Sequence, residues 1–496
     1  MILKLGSNIL YKKLIKDGDL SSLFFFNFYQ IIACLISVFL GWNYFGLFFI
    51  YFLFVGFKFL DTIELKSKNN FLKFILNSFI FILLWHFGVV FWMFKIESGI
   101  YGFFISSLIY IIPFLIYVFV VKIIGKNIAF FIPIMILFET FLDKSNFSFP
   151  WLIIGNSMSN SISLIQWYKF TGVIGGSILL LLISYFLYRR NFFILLFLFI
   201  PFSISAISFH KSFLEIKKNE KLEIITFNTE KYNLRNENQS NNDKLSFYIH
   251  KKTKIFRGDF LIIPEQTLRS IKYSTFKGEL SYKYLKNIIN EKKIKNIFVG
   301  ISGFYTKNKL ANSIAFLNNE KLLLKNKNKL VPYTEFTPVF LRKMLDRYSY
   351  EFETKDSLKE IKNALSILPL ICYESIYSDY VANNSKGADK IILISSENFL
   401  NNSYFGEIQY NNIISLRGIE NGLFIIKASN CGKSITFDDN GNKIKESENE
   451  INFFQIPKTL KLKTTFFVRF YNYYNINTFI SIGLFLLLTL KTYEYE

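Results

Sequence analysis

Histidine and cysteine are nearly missing from this chain of 496 residues, with three of each. Cys34, Cys372 and Cys431 have no spacing that makes a disulfide framework or a CxxC zinc pattern. His86, His210 and His250 lie far apart in sequence, so neither a His/Cys metal site nor a Cys–His catalytic pair is expected. Acidic residues are also scarce, 37 against 58 basic ones, which leaves a formal net charge of +21. No recognition motif accompanies that charge, so nucleic acid is not the expected partner. Lys, Asn, Ile and Phe dominate together, a mixture that AT-rich codons alone produce. The remaining positive charge suits an anionic membrane surface.

What is present is apolar. The chain is 51% hydrophobic and holds 60 Phe, too much for an ordinary soluble protein of this length. Apolar runs predict membrane spans at 23–41, 44–60, 71–94, 99–122, 127–142, 168–188, 192–209 and 473–490. Each is close to the ~20 residues a bilayer core needs. The spans carry few paired charges, which argues against a transporter. The first run is too long for a cleaved signal, lacks a small-residue cleavage site and is followed by further spans.

The basic residues give the orientation. Lys4, Lys12, Lys13, Lys16, Lys58, Lys66, Lys68, Lys73, Lys122, Lys126, Arg189, Arg190 and Lys491 fall on one side of the alternating spans. Only Lys95 and Lys144 fall on the other, a ratio of 13 to 2. The first side is therefore expected to be cytoplasmic, with residues 210–470 outside.

Residues 210–470 change character. Strands are expected at 221–229, 259–265, 295–302, 312–318, 366–374, 390–396 and 423–429, with helical segments such as 281–294 and 408–421 between them. Short apolar runs alternating with helices indicate a layered α/β domain. The expected division is a transmembrane domain at 1–210, a catalytic domain at 211–470 and a last span with a short tail at 471–496.

Three signals carry chemistry. Cys372 ends an apolar run in "LPLICYESIYSD", where a buried packing role competes with that of a nucleophile. Without histidine nearby, its base would be a carboxylate, and Glu265 in "FLIIPEQT" is the candidate. In "KNKNKLVPYTEF" a lysine near the thiol would stabilise a thiolate and a tetrahedral oxyanion. Lys325, Lys327 and Lys329 are spaced by two, so periodicity alone does not choose among them. A lysine run in so basic a chain also reads as a solvated loop.

In combination these signals resemble the nitrilase superfamily, whose catalytic set is Glu, Lys and Cys in that chain order. Within it the chain is similar to the membrane-embedded apolipoprotein N-acyltransferase family. Pro264-Glu265 resembles its "PE". Lys327, Leu330-Val331-Pro332 and Glu335 match its "K-x-x-L-V-P-x-x-E", and Cys372-Tyr373-Glu374 its "C-Y-E". "FPWLIIGNS" (149–157), "IQWYKFTGVIGGS" (165–177) and "SLRGIENG" (415–422) resemble further segments of that family. The departures are Lys325 for an aromatic residue, Thr334 for glycine, Glu397-Asn398-Phe399 for an "ND-W" sequence, and Cys431 for a polar residue.

The resemblance implies a multi-span α-helical membrane protein of about eight spans, carrying an inserted nitrilase-like four-layer αββα sandwich. It implies Glu265, Lys327 and Cys372 as catalytic residues, Glu335 as support for the oxyanion site, and Tyr373 and Glu374 at the substrate. It also implies a phospholipid acyl donor, a diacylglyceryl apolipoprotein acceptor and surrounding membrane lipids. No metal or organic cofactor is called for. A membrane-tethered amidase of the same superfamily, and a scaffold that has lost activity, are the competing expectations.

Overall fold

The computed structural model describes residues 25–63, 68–96, 99–146, 148–212, 221–228, 239–291, 294–306, 309–332, 335, 351–354, 357–457 and 464–471. The expected eighth span at 473–490 lies outside these residues. The helices of the first part are α1 (Phe28–Asn43), α2 (Phe49–Asp61), α3 (Lys68–Val90), α4 (Gly99–Ile109), α5 (Ile112–Ile124), α6 (Phe131–Lys144), α7 (Tyr168–Tyr188), α8 (Phe192–Leu198) and α9 (Ile200–Ser212).

Among the described residues, four helical stretches are long and apolar enough to cross a membrane: Asn69–Lys95, Gly99–Ile124, Tyr168–Tyr188 and Phe192–Phe209. The second is α4 and α5 in tandem. The break falls just before Pro113, whose ring is tolerated only in the first turn of a helix. Expected spans 23–41, 44–60 and 127–142 appear as the shorter helices α1, α2 and α6. Phe119, Phe141, Phe193 and Leu196 point outward and are exposed, as an apolar solvent would require.

Between α6 and α7, residues 150–164 run as short 3₁₀ turns that bury Trp151, Ile154 and Met158. Irregular backbone in an apolar body needs internal hydrogen-bond partners. Ile154 N donates to Glu139 Oε1 at 2.7 Å, and Gly155 N donates to Ser177 Oγ at 2.9 Å.

The second part is a layered α/β domain. Its strands are β1 (Lys221–Phe227), β2 (Gly258–Lys272), β3 (Ile294–Thr306), β4 (Lys309–Leu317), β5 (Leu322–Asn326), β6 (Glu351–Phe352), β7 (Ile367–Ile371), β8 (Lys390–Ser396), β9 (Phe424–Asn430), β10 (Ser434–Phe437), β11 (Lys443–Ser447) and β12 (Ile451–Pro457). One sheet has the order β12-β1-β2-β3-β4-β5, with β6 beside β4; the other has the order β11-β10-β9-β8-β7. The neighbours β1–β2–β3 and β7–β8–β9 pair parallel.

The helices of this part are α10 (Gln239–Thr253), α11 (Leu280–Asn290), α12 (Leu358–Leu365), α13 (Ser378–Ser385), α14 (Tyr404–Asn421) and α15 (Phe466–Phe470). The facing sheets bury Ile262, Phe298, Ile314, Ile371, Ile392 and Ile426 between them. The outer face of the first sheet packs on α10 and α11 through Leu261, Val299, Leu285 and Ile288. The outer face of the second packs on α13 and α14, whose Val381, Tyr410 and Ile414 share one core with the N-terminal helices. The result is an αββα sandwich whose α13/α14 layer lies against the N-terminal helices.

Candidate active site

The expected Glu, Lys and Cys converge at an irregularity within β2 and just beyond the ends of β5 and β7. Glu265 lies in β2 at a register shift between Ile263 and Leu268. Pro264 has no N–H to give the ladder, and Gln266 takes a left-handed φ of 53°. Strand β3 closes against this irregularity at Gly300. A Cβ there would stand 2.2 Å from Pro264 O and 2.5 Å from Glu265 Cα, so only glycine fits. Cys372 follows β7 and opens the 3₁₀ turn Cys372–Ile376. Its φ is 44°, a left-handed conformation that costs a non-glycine residue energy and recurs at functional sites.

Lys327 follows the last residue of β5, and its N–H donates to Asn312 O at 2.8 Å. Its Nζ lies 3.0 Å from Glu265 Oε1 and 2.9 Å from Glu335 Oε2. Asn312 Nδ2, on β4, donates to the same two carboxylates, at 2.7 Å to Glu265 Oε1 and 3.0 Å to Glu335 Oε1. Glu265 Oε2 also accepts from Ser396 N at 2.9 Å, which ties β2 to the end of β8. Glu335 Oε2 accepts from Val331 N at 3.0 Å.

Glu265, Lys327 and Cys372 are each no more than 3% exposed. Burial opposes the charge on Lys327, but Glu265, then Glu335 and Cys372, hold its pKa well above the ordinary lysine value. Burial pushes the Cys372 thiol up to about 12. The charge of Glu265 adds to that rise, while Lys327 and the Ser395 hydroxyl, 3.6 Å from Sγ, pull against it. The resting cysteine is therefore a neutral thiol, which reacts only when a base removes its proton.

The lysine run is not a solvated loop. Lys325, Lys327 and Lys329 are 0%, 2% and 5% exposed, each with different partners. Lys325 pairs with Glu374. Lys329 Nζ donates to Lys144 O at 3.0 Å and lies 4.6 Å from the centre of the Tyr377 ring.

Tyr373 OH donates to Ser148 O at 2.8 Å, linking the cysteine turn to the N-terminal part. Beside it is an apolar cavity of about 120 Å³, which Tyr373, Val331, Pro332 and Phe399 line from the sandwich. Trp92, Met93, Ile105 and Trp151 line it from the other side. Glu374 turns both oxygens inward, to Lys325, Asn328 N and Ile371 N. The half-buried Cys431 stands in the turn after β9, at a φ of 62°.

Asn312, Ser395 and Gln409 were not singled out by the sequence. Gln409 on α14 makes four hydrogen bonds, all to the N-terminal part. Its Oε1 accepts from Trp92 Nε1 at 3.2 Å and Trp151 Nε1 at 3.0 Å, and its Nε2 donates to Asn43 Oδ1 and Val89 O. Glu420 on the same helix accepts from Val173 N at 2.7 Å, next to Gly172, whose φ of 64° breaks α7. Nothing local in the sequence pairs Gln409 and Glu420 with these partners, since each of these bonds joins residues more than 200 positions apart.

The two-sheet sandwich with its buried Glu–Lys–Cys cluster packs against apolar helices. The carbon-nitrogen hydrolase family model matches residues 279–454. The model of the apolipoprotein N-acyltransferase N-terminal domain matches residues 31–186. The chain is thus similar to the apolipoprotein N-acyltransferases of the nitrilase superfamily in both of its parts. An apolipoprotein N-acyltransferase of Rickettsia typhi is 38% identical over 160 residues, 30% of this chain and 32% of that protein. One of Wigglesworthia glossinidia brevipalpis is 27% identical over 348 residues, 65% of this chain and 68% of that protein. The chain thus spans about a third of the length of the first relative. An amidase from Nesterenkonia sp. superposes with a TM-score of 0.36 at 13% identity, over 49% of this chain and 93% of that one.

Proposed function

We propose that the chain is an acyltransferase that moves an acyl group from a phospholipid to the α-amine of a diacylglyceryl-cysteine apolipoprotein. The observation that carries this reading is Lys327 Nζ held between Glu265 and Glu335 in the cluster that includes Cys372, beside an apolar cavity walled partly by the N-terminal helices.

In the first step Glu265 takes the Sγ proton as the sulfur attacks the ester carbonyl. Lys327 stabilises the oxyanion, with Glu335 holding its ammonium in place. The C–O bond breaks, Glu265 returns the proton to the leaving glycerol oxygen, and a thioester and a lysophospholipid result. In the second step the acceptor's amine attacks the thioester. Glu265 accepts a proton from the amine and returns it to the departing sulfur, leaving an amide. Both substrates are lipid-anchored, so the catalytic domain works on the outer face of a bacterial inner membrane. That topology follows the lysine and arginine asymmetry of the loops. Labelling of residues 210–470 by a membrane-impermeant reagent in intact spheroplasts tests it, and protection of the whole domain counts against it.

A tethered amidase would share the cluster but has no need of an apolar cavity walled by membrane helices. The deciding assay supplies purified protein with vesicles of one defined phospholipid and a synthetic diacylglyceryl-cysteine peptide. A peptide heavier by one acyl chain on its α-amine supports the transfer. Release of free fatty acid or hydrolysed amide alone supports the amidase.

A further inference from the structure

Lys325 and Glu374 form a buried ion pair outside the Glu265–Lys327–Cys372 set, with both side chains 0% exposed. Lys325 Nζ reaches both carboxylate oxygens. Each oxygen also accepts a backbone N–H: Oε1 from Asn328 at 2.7 Å and Oε2 from Ile371 at 2.8 Å. Asn328 is the residue after Lys327, and Ile371 is the residue before Cys372. One carboxylate therefore spans the two segments that bear the oxyanion cation and the nucleophile. Asn328 is fixed further by its side chain, which donates to Tyr380 OH at 3.1 Å.

An isolated buried carboxylate is strongly unfavourable, and a cation of matching geometry offsets that cost. Lys325 is such a cation, and the Tyr380 ring centre lies 5.7 Å from its Nζ. A neutral acid would accept these two N–H groups poorly, because charge-assisted hydrogen bonds are roughly twice as strong as neutral ones. The left-handed turn at Cys372 also needs outside support to persist.

We propose that Lys325 is a positioning residue for the acyl-transfer site: as counter-ion of Glu374, it keeps that carboxylate clamped across the Lys327 segment and the Cys372 turn. The proposal rests on the acyl-transfer reading above. It assigns Lys325 no contact with substrate. The geometry gives Glu374 a role inside the protein.

The test is single-turnover acylation of Cys372 by one defined phospholipid, followed by mass spectrometry on the full chain in detergent. The variants are Lys325→Met, Glu374→Gln and the two combined. Lys325→Met should slow the maximal rate by at least about tenfold while leaving half-saturation by phospholipid within about twofold, because positioning acts on the reacting geometry. Lys325→Met added to Glu374→Gln should cost less than about threefold, because no buried carboxylate is then left without a cation. That comparison carries the test if Lys325→Met alone does not fold. Multiplicative losses, an unchanged rate in Lys325→Met, or a shift in half-saturation alone overturns the proposal. The unaltered protein separates two failures. No thioester there counts against the acyl-transfer reading, whereas a thioester there without coupling overturns the role of Lys325 alone.

Discussion

Replacing Lys327 by methionine keeps most of the side-chain volume and removes one charge. Two effects combine. The first is loss of the donor proposed for the developing oxyanion, commonly worth about 10²–10³ in rate. The second falls on the base. Glu265 and Glu335 share Lys327 Nζ and Asn312 Nδ2, so without the lysine two buried carboxylates are left close together on one amide donor. Two like charges so close repel each other, and Glu265 loses the partner that holds it in place as the base. Together the losses should approach about a thousandfold in thioester formation, ~4 kcal/mol. Lys329→Met, which removes a bond to Lys144 O and a contact with Tyr377, should lose less than about tenfold, ~1.4 kcal/mol. The assay is single-turnover acylation of Cys372 in detergent, with folding checked by thermal melting. A loss below about tenfold in a well-folded Lys327→Met protein would refute the assignment of the oxyanion cation.

Cys372→Ser and Cys372→Ala should both abolish transfer and leave the acceptor amine free, whereas Cys431→Ala, at a half-buried turn, should remain active; mass spectrometry of the acceptor reads all three. Alkylation of Cys372 by iodoacetamide should rise about tenfold per pH unit from pH 7 towards its pKa near 12, because only the thiolate reacts. Glu265→Gln removes a charge that raises the thiol pKa, so it should bring the plateau to lower pH; a plateau already reached near neutrality in the unaltered protein would contradict the buried neutral thiol. Gln409→Leu leaves two indole N–H groups, Asn43 Oδ1 and Val89 O without their partner and should destabilise the protein by about 3 kcal/mol or more. A melting temperature within a degree of the unaltered protein would show that Gln409 does not hold the two parts together.

Much of the sandwich was legible because its central strands are buried on both faces. Such strands read as continuous apolar runs. All seven expected strands are present, at β1, β2, β3, β4, β7, β8 and β9. Strand β5 was missed because "LLLKN" runs into the lysines, and β11 because "KIKES" lies on a sheet edge with mostly exposed side chains. Helix α5 was not separated from α4, since apolar periodicity continues through the break before Pro113.

The residues of the candidate site were legible as an order along the chain, and the structure brings Glu265, Lys327 and Glu335 together. The resemblance to the K-x-x-L-V-P-x-x-E pattern pointed to Lys327, and that is the lysine found between the two glutamates. The sequence did not reveal that the flanking lysines are buried. In so basic a chain, a lysine run gives no sign of partners at positions 144 and 374. Glu374 was expected at the substrate, but both its oxygens are occupied by Lys325 and two backbone N–H groups. Asn312 sits in an apolar strand where nothing local marks it as the donor joining Glu265 and Glu335.

The most direct measurement is the intact mass and peptide map of the protein after incubation with a single phospholipid of known acyl chains. The expected result is one acyl group on the peptide bearing Cys372, released by hydroxylamine as a thioester and lost when a diacylglyceryl-cysteine peptide is added, with that peptide gaining the same mass. No adduct, an adduct on another residue, or an adduct that the acceptor does not discharge would contradict acyl transfer through Cys372.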